Sequence, residues 1–569
     1  MRKITHGELT DASLSQLKDL CKELREEIVR TVAKCGGHLS SNLGTVELTV
    51  ALHRVFDFPK DKIVFDVGHQ CYTHKLLSDR AERFSTLRSE GGISGFPKRS
   101  ESPYDCYDTG HAGTAISAAL GIAKARDIQK EDFNVIALVG DGSFNNGLIF
   151  EALNSVKILN SRILIVLNDN GMSISPTVGG THEILTDLKE GLSEEGIRLF
   201  EQFGLTYSGK INGNELEELL PALEEAKEEL KHRCVLLHVV TKKGQGQPFS
   251  ENAPQETHGV SPRPSTKAEY SSALGEELTK LAEKDDKIVA VTAAMTDSLG
   301  LRGFFRAFPD RAFDVGICEE HASVLCAAMA SEGMKPYYAI YSTFLQRAFD
   351  EIIHDICGQN LPVTFCIDRA GITGEDGETH QGIFDLSYLS FIPNLTVAIP
   401  KNIAEFRAIL RESASFGAPL AIRYPRDGEE GEVNGFEFSK FEILHSTVSD
   451  IIVCAAGERC ISIAEEARKS LNSEGIDFTL VNARFLKPLD ESLLSSRKEK
   501  FVITLEDNAL IGGLGDAISR FYRNSEKQIY SLGYEEEFIP HGTVSSLMRQ
   551  RGLCKENLIR IVKELYARG

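Results

Sequence analysis

Short aliphatic runs recur along the chain, separated by longer stretches in which apolar residues return every three or four positions. The runs at 134–139, 163–167 and 234–240 read as buried strands, and the stretches between them as amphipathic helices. Strands that are apolar throughout, alternating with helices, are the pattern of parallel sheets covered on both faces. The pattern repeats in three blocks. The first runs to about residue 260 and is followed by a Pro/Gly/Ser-rich stretch, 244–266, that reads as a linker. The second opens with a helix near 268–283 and a strand at 287–291, continues through 363–367 and ends near Arg426, before a charged Gly/Glu segment at 427–432. The third carries runs at 451–454, 478–481 and 501–505. The expected fold class is therefore α/β, with three doubly wound parallel-sheet domains at 1–262, 267–430 and 436–569. A glutamate-rich helix near 215–232 reads as a solvated face.

Composition narrows the function. A chain of 569 residues accommodates several domains. The net charge of −20 argues against nucleic acid or an anionic membrane as partner. It leaves small anionic substrates open, because a few local Arg and His residues override a global field. The twelve Cys show no CxxC pairs or zinc-like spacing and read as reduced, buried thiols. No apolar run follows Met1–His6, so no signal peptide is expected. No run approaches the ~20 residues of a membrane helix. A cytoplasmic enzyme fits these features.

Two segments carry the chemistry. Gly140-Asp141-Gly142-Ser143 ends one strand, and Asn168-Asp169-Asn170-Gly171-Met172 ends the next. Alone, Gly-Asp-Gly is also a plain turn. Paired with Asn170 at the neighbouring strand end, Asp141 forms an oxygen-rich edge suited to Mg²⁺, with the Met172 peptide oxygen as a natural third ligand. The glycines let the chain turn beside a bulky anion. The constellation resembles the diphosphate anchor of thiamine diphosphate (ThDP) enzymes.

The resemblance extends along nearly the whole chain. Gly37–Thr49, Asp66–Gln70, Thr109–Gly113, Glu319–Ala322, Tyr341–Arg347, Asp368–Gly371 and Asp376–Gly382 resemble the 1-deoxy-D-xylulose-5-phosphate synthase family of the transketolase superfamily. That resemblance implies ThDP and Mg²⁺ as cofactors, a homodimer, and decarboxylative condensation of pyruvate with D-glyceraldehyde 3-phosphate. It implies that the cofactor lies between the first two domains of one chain. Glu319 would hydrogen-bond the cofactor's aminopyrimidine, and Phe344 would stack on that ring. His69, Gly110, His111, Ala112, Gly142, Ser143 and Asn170 would line the cofactor. His38, His69 and His380 would serve proton transfer, for which imidazole is suited near neutrality. Tyr341, Arg369, Asp376, His380 and Arg426 would hold the acceptor, the two guanidinium groups taking its phosphate. His53, His232, His354 and His445 lie in helix- or strand-like contexts and receive no role.

The chain departs from the family in its first domain. Where the family carries Asp-Gly-His, this chain reads Asn212-Gly213-Asn214, and an amide cannot take up a proton at neutral pH. The segment between Met172 and Phe203 is shorter than the family's, and Gln247 stands where an aromatic is usual. Two alternatives stay open: transketolase-type transfer of a two-carbon unit between sugar phosphates, and a non-catalytic ThDP-binding paralogue.

Overall fold

The computed structural model describes residues 4–172, 178–262, 266–433 and 435–568. The chain divides into two compact units, Met1–Pro264 with Gly316–Cys318, and Ser265–Val315 with Glu319–Gly569.

The first unit is built on five parallel strands, β1 (Lys62–Phe65), β2 (Val135–Gly140), β3 (Leu164–Asp169), β4 (Leu205–Asn212) and β5 (Cys234–Val240). Their spatial order is β1-β2-β3-β5-β4. Alternate side chains serve opposite faces, as strand geometry requires. Leu138, Val166 and Leu237 pack with the helices Leu14–Cys35 and Val46–Val55, whereas Ala137, Ile165 and Leu236 pack with Ala115–Gln129 and Gly147–Leu159. The helix Leu216–Glu229 keeps its glutamates outward but buries Leu216, Leu219, Leu223 and Ala226, so it is amphipathic rather than wholly solvated.

The register of β2 and β3 positions the candidate site. Gly140 pairs with Asn168, and the Asp141 N–H donates to the Asn168 carbonyl at 3.2 Å. Asp141 and Asn170 therefore leave the sheet at one edge.

In the second unit, β6 (Ala268–Glu269) pairs antiparallel with β13 (Asp427–Gly428). The strands β7 (Ile288–Thr292), β8 (Ala312–Asp314), β9 (Lys335–Tyr341), β10 (Thr364–Asp368), β11 (Thr396–Ala398) and β12 (Leu420–Arg423) lie parallel in one sheet. Its order is β17-β11-β12-β10-β9-β7-β8, with β17 (Phe485–Lys487) antiparallel at the edge. A second sheet, β14-β16-β15-β18-β19, joins β14 (Glu442–His445), β15 (Ile451–Ala456), β16 (Thr479–Asn482), β18 (Phe501–Ala509) and β19 (Gln528–Tyr534). All of its pairs are parallel except β14 with β16.

Two stretches differ from the sequence reading. Residues 427–428 fold back onto β6, and the Glu429 carbonyl accepts the Ile403 N–H, so this charged segment is held within the unit. The Pro/Gly-rich stretch packs onto the first unit up to residue 260. It holds the short helix Pro248–Asn252, its Thr257 carbonyl accepts the Ser40 N–H, and Val260 bridges Gly37. Backbone hydrogen bonds replace the apolar periodicity that a linker lacks. Among the described residues no helix is long and apolar enough to cross a membrane.

Candidate active site

In the first unit, loops from far along the chain bring three imidazoles together. His38 and His69 have ring centroids 5.3 Å apart, and His258 lies 5.4 Å from each. Asn42 joins two of these loops: its Nδ2 donates to the carbonyls of His38 (2.6 Å) and His69 (2.7 Å), while its Oδ1 accepts the Tyr72 N–H. The Ser41 hydroxyl is hydrogen-bonded to His258 Nδ1 at 3.3 Å. Burial, then the charge of Lys243 and the neighbouring imidazoles, hold His258 well below the ordinary imidazole range. His258 is therefore neutral at pH 7.

The Gly110–Gly113 loop is held by Asp66, whose two carboxylate oxygens accept the Gly113 N–H at 2.9 Å and the Ala115 N–H at 3.0 Å. Gly113 has φ +88°, and a Cβ there would collide with the Asn146 side chain. Only glycine suits that close approach. Gly110 and Ala112 are buried beside this turn, and His111 is half-buried.

At the β2–β3 edge, Asp141 is 3 % exposed. Its Oδ1 accepts the Asn170 N–H at 3.3 Å, and Asn170 Oδ1 accepts the Met172 N–H at 3.1 Å. Burial and the adjacent Asp169 push the Asp141 carboxyl up to about 7. Lys243, 6 % exposed, is pushed down to about 8 by burial, with the Asp141 charge opposing the shift. Gly142 precedes the short turn Ser143–Asn145, where Ser143 is buried. Among the described residues no group of three or more His, Cys, Asp or Glu gathers as a self-sufficient metal cluster. A cation at Asp141 would therefore complete its shell from the Asn170 amide, the Met172 carbonyl and bound phosphate, an oxygen set suited to Mg²⁺. A buried carboxyl lifted by a neighbouring carboxylate is the environment that a bound cation relieves.

In the second unit, Glu319 opens the helix Glu319–Ser331 and is 4 % exposed. Burial pushes its carboxyl up to about 7, partly offset by the Arg347 charge. Arg347 Nε lies 3.6 Å from Oε2, which accepts no hydrogen bond among the described residues. A buried carboxyl that keeps its proton up to near-neutral pH can donate a hydrogen bond to a ring nitrogen.

A continuous aromatic and cationic row lies within the same unit. The Arg369 guanidinium sits 4.5 Å over the Tyr341 ring, Tyr341 stacks on Phe344 (5.8 Å, 16°), and Phe344 meets His380 edge-on at 5.7 Å. Thr379 Oγ1 is hydrogen-bonded to His380 Nδ1 at 2.8 Å. Arg369 also pairs with Asp368 at 3.1 Å. Asp376 precedes the turn Gly377–Thr379 and is half-buried. Arg426 is exposed; its nearest ion-pair partner is Glu269 at 3.6 Å, and its charge reaches the Tyr341 phenol. The Asp507 carboxylate accepts the Ile372 N–H at 3.0 Å and pairs with Arg459 at 2.8 Å, tying the loop after Arg369 to the strand β18.

Sequence reasoning missed His258, which lies in the stretch read as a linker, and Lys243, which directly precedes that stretch. Thr257-His258-Gly259 has the Gly-flanked histidine that singled out the other loops, and this was the available signal. Lys243 carries no such mark among its lysine neighbours. Of the histidines left without a role, His53 is hydrogen-bonded to His74, which meets Asp105 in a buried network.

Parallel sheets covered by helices, with an oxygen-rich strand edge and a buried carboxyl at a helix start, make a transketolase-like fold. A family model described as 1-deoxy-D-xylulose-5-phosphate synthase matches residues 2–197 and 189–241. Models of the transketolase pyrimidine-binding and C-terminal domains match 266–428 and 439–558. A 1-deoxy-D-xylulose-5-phosphate synthase of Clostridium tetani is 42% identical over 610 aligned residues, covering 98% of each chain. That of Clostridium beijerinckii is 44% identical over 600, covering 96% of each. Among solved structures, a transketolase from Campylobacter jejuni is 18% identical over 97% of this chain and 100% of its own, with a TM-score of 0.45. The chain belongs to the 1-deoxy-D-xylulose-5-phosphate synthase family.

Proposed function

We propose that the chain condenses pyruvate with D-glyceraldehyde 3-phosphate, releasing CO₂ and 1-deoxy-D-xylulose 5-phosphate, with ThDP held through Mg²⁺. Glu319 is the observation that carries this reading: a buried, proton-retaining carboxyl at a helix start, in a chain of this family. When bound, ThDP supplies an electron sink at the substrate's carbonyl carbon.

This chain's residues do the rest. Asp141, Asn170 and the Met172 carbonyl would hold the cation, and the Gly142–Ser143 turn would lie beside the diphosphate. Glu319 would donate its carboxyl proton to a hydrogen bond with the aminopyrimidine, and Phe344 would offer its ring face. His38 and His69, clustered with the neutral His258, would serve the proton transfers. Arg369, kept in place by Tyr341 and Asp368, would clamp the acceptor phosphate, with Arg426 as a second, more exposed cation and Asp376 and His380 on the acceptor's hydroxyls. Binding and orientation account for most of what such side chains contribute.

The family-model matches at 2–241, 266–428 and 439–558 support the division 1–262, 267–430 and 436–569, with Phe485–Lys487 of the last adding an edge strand to the sheet of the second. A homodimer and a cytoplasmic setting are part of the same proposal.

The test is a turnover assay of purified protein with ThDP, Mg²⁺, pyruvate and D-glyceraldehyde 3-phosphate. CO₂ and deoxyxylulose phosphate should appear in equal amounts. Conversion of xylulose 5-phosphate with ribose 5-phosphate, without CO₂, would replace this reading with two-carbon transfer.

A further inference from the structure

We propose that Asn214 is a positioning residue: its neutral side-chain amide clamps the loop carrying Lys243 to the loop carrying His38, and takes no part in proton transfer. The inference deepens the functional reading above and rests on it only for the role of the β2–β3 edge.

Both ends of the amide are in use. Asn214 Oδ1 accepts the Lys242 N–H at 2.8 Å, and Nδ2 donates to the Gly44 carbonyl at 3.0 Å. Nδ2 also lies 3.4 Å from Glu47 Oε2. Gly44 ends the short helix Ser40–Gly44 that follows His38, and Lys242 directly precedes the buried Lys243. One side chain therefore joins the two peptide segments from which His38 and Lys243 project.

The surroundings require a group that both donates and accepts. Glu47 is also paired with Arg25, whose Nη2 reaches its two oxygens at 2.7 and 2.8 Å. Arg25 in turn lies against Gly246, where an added Cβ would stand 2.8 Å from its Cδ. The Asn214 amide thus faces two acceptors, the Gly44 carbonyl and Glu47, and one donor, the Lys242 N–H. A carboxylate could satisfy only the donor. The backbone that carries this side chain is held, because the Asn214 peptide N–H donates to Asn212 Oδ1 at 3.1 Å. Asn212-Gly213-Asn214 is therefore a self-supporting clasp. A second tie between the same loops, the Gly244 N–H on the Ser40 carbonyl at 2.8 Å, leaves Asn214 to set the position of Lys242 and Lys243 rather than to hold the fold together.

The consequence falls on Lys243. Its charge acts on Asp141 and on His258, so its place contributes to the field at the strand edge, beside Asp169 and Lys189, and in the imidazole cluster. Loosening the clasp would let Lys243 move toward water.

Competitive acetylation of the apo protein, read by peptide mass spectrometry, tests this directly. Lys243 should be protected in the wild-type chain, with the exposed Lys60 as internal reference. In N214A, Lys243 should become roughly tenfold more reactive relative to Lys60, the size of one lost hydrogen bond. N214D should be worse than N214A, because its carboxylate faces Glu47 and the Gly44 carbonyl. N214H, whose neutral imidazole donates and accepts, should retain most of the protection. Turnover should fall in the order of Lys243 exposure, with the acid limb of kcat/KM unmoved in N214A. Unchanged Lys243 reactivity in N214A and N214D would overturn the proposal. So would a turnover loss in N214A without a change in labelling, since Asn214 would then act in the chemistry itself. Calorimetry of ThDP with Mg²⁺ on the wild-type chain separates the two readings: no binding there would sink the functional proposal, whereas the labelling pattern would still report the clasp.

Discussion

Arg369 lies with its guanidinium 4.5 Å over the ring of Tyr341, while Asp368 holds it from the side at 3.1 Å. A planar cation stacked on an aromatic face is held in one orientation at little entropic cost, which suits recognition of a phosphate by two parallel hydrogen bonds. R369K keeps the charge but loses the fork and the stacking. It should raise KM for D-glyceraldehyde 3-phosphate about 10- to 100-fold, the equivalent of one charge-assisted hydrogen bond, and leave KM for pyruvate unchanged. Steady-state kinetics with each substrate varied in turn check this. Equal changes in both KM values would remove Arg369 from the acceptor site.

Glu319 gives a pH signature. Its carboxyl is pushed up from an ordinary value of 4.5 to about 7 by burial. Between those values the folded apo chain holds a proton that the unfolded chain has released, so stability falls as pH rises through this window. The neutral, isosteric E319Q lacks that slope. Its melting temperature relative to wild type should rise between pH 5 and pH 8, measured on apo protein by scanning calorimetry. Its turnover should fall by about 10²- to 10⁴-fold, the usual range for a lost acid–base group. A constant Tm difference across pH would mean that the carboxyl is already ionised at pH 5.

Asp141 carries opposite effects on the apo and loaded protein. It is buried beside Asp169, and that neighbour disfavours its charge. D141N removes the repulsion, so the apo chain should melt a few degrees higher than wild type at pH 8. The same change removes a metal ligand, so Mg²⁺-dependent binding of ThDP should be lost by calorimetry. Retained binding would show that the cation sits elsewhere.

Asn42 is fully buried and makes hydrogen bonds to the His38 and His69 carbonyls and the Tyr72 N–H. N42A leaves buried peptide groups unpaired, each at a cost of about 1–3 kcal/mol. The apo chain should lose on the order of 3 kcal/mol, and kcat should drop with it because the two histidine loops separate. N42D, which cannot donate to the carbonyls, should not rescue either property.

Much of the fold was legible because buried parallel strands announce themselves as uninterrupted aliphatic runs. The strands at 135–140, 164–169 and 234–240 stand within two residues of their expected limits. The β18 strand runs on to Ala509, past its aliphatic core, because Glu506, Asp507 and Asn508 are buried polar residues with partners: Glu506 accepts the Leu514 and Gly515 N–H groups. Such a continuation has no hydrophobic signal. The stretch 244–260 failed as a linker for a related reason. It is fastened to the first unit by backbone hydrogen bonds, including those of Gly244 and Val260, and composition does not report them.

The sequence by itself determined the strands, the turns that carry Asp141 and Asn170, and the residue types suited to a cation, a diphosphate and a phosphate. These are local properties, set by neighbours within a few positions. Only the tertiary structure decided that His258 completes a triangle with His38 and His69, that Lys243 is buried within reach of Asp141, and that Asn214 spans the loops beside them. Those pairings depend on the strand order β1-β2-β3-β5-β4, which brings distant loops to one sheet edge. Strand order follows from how whole helices and strands pack together, and no window of local sequence encodes it.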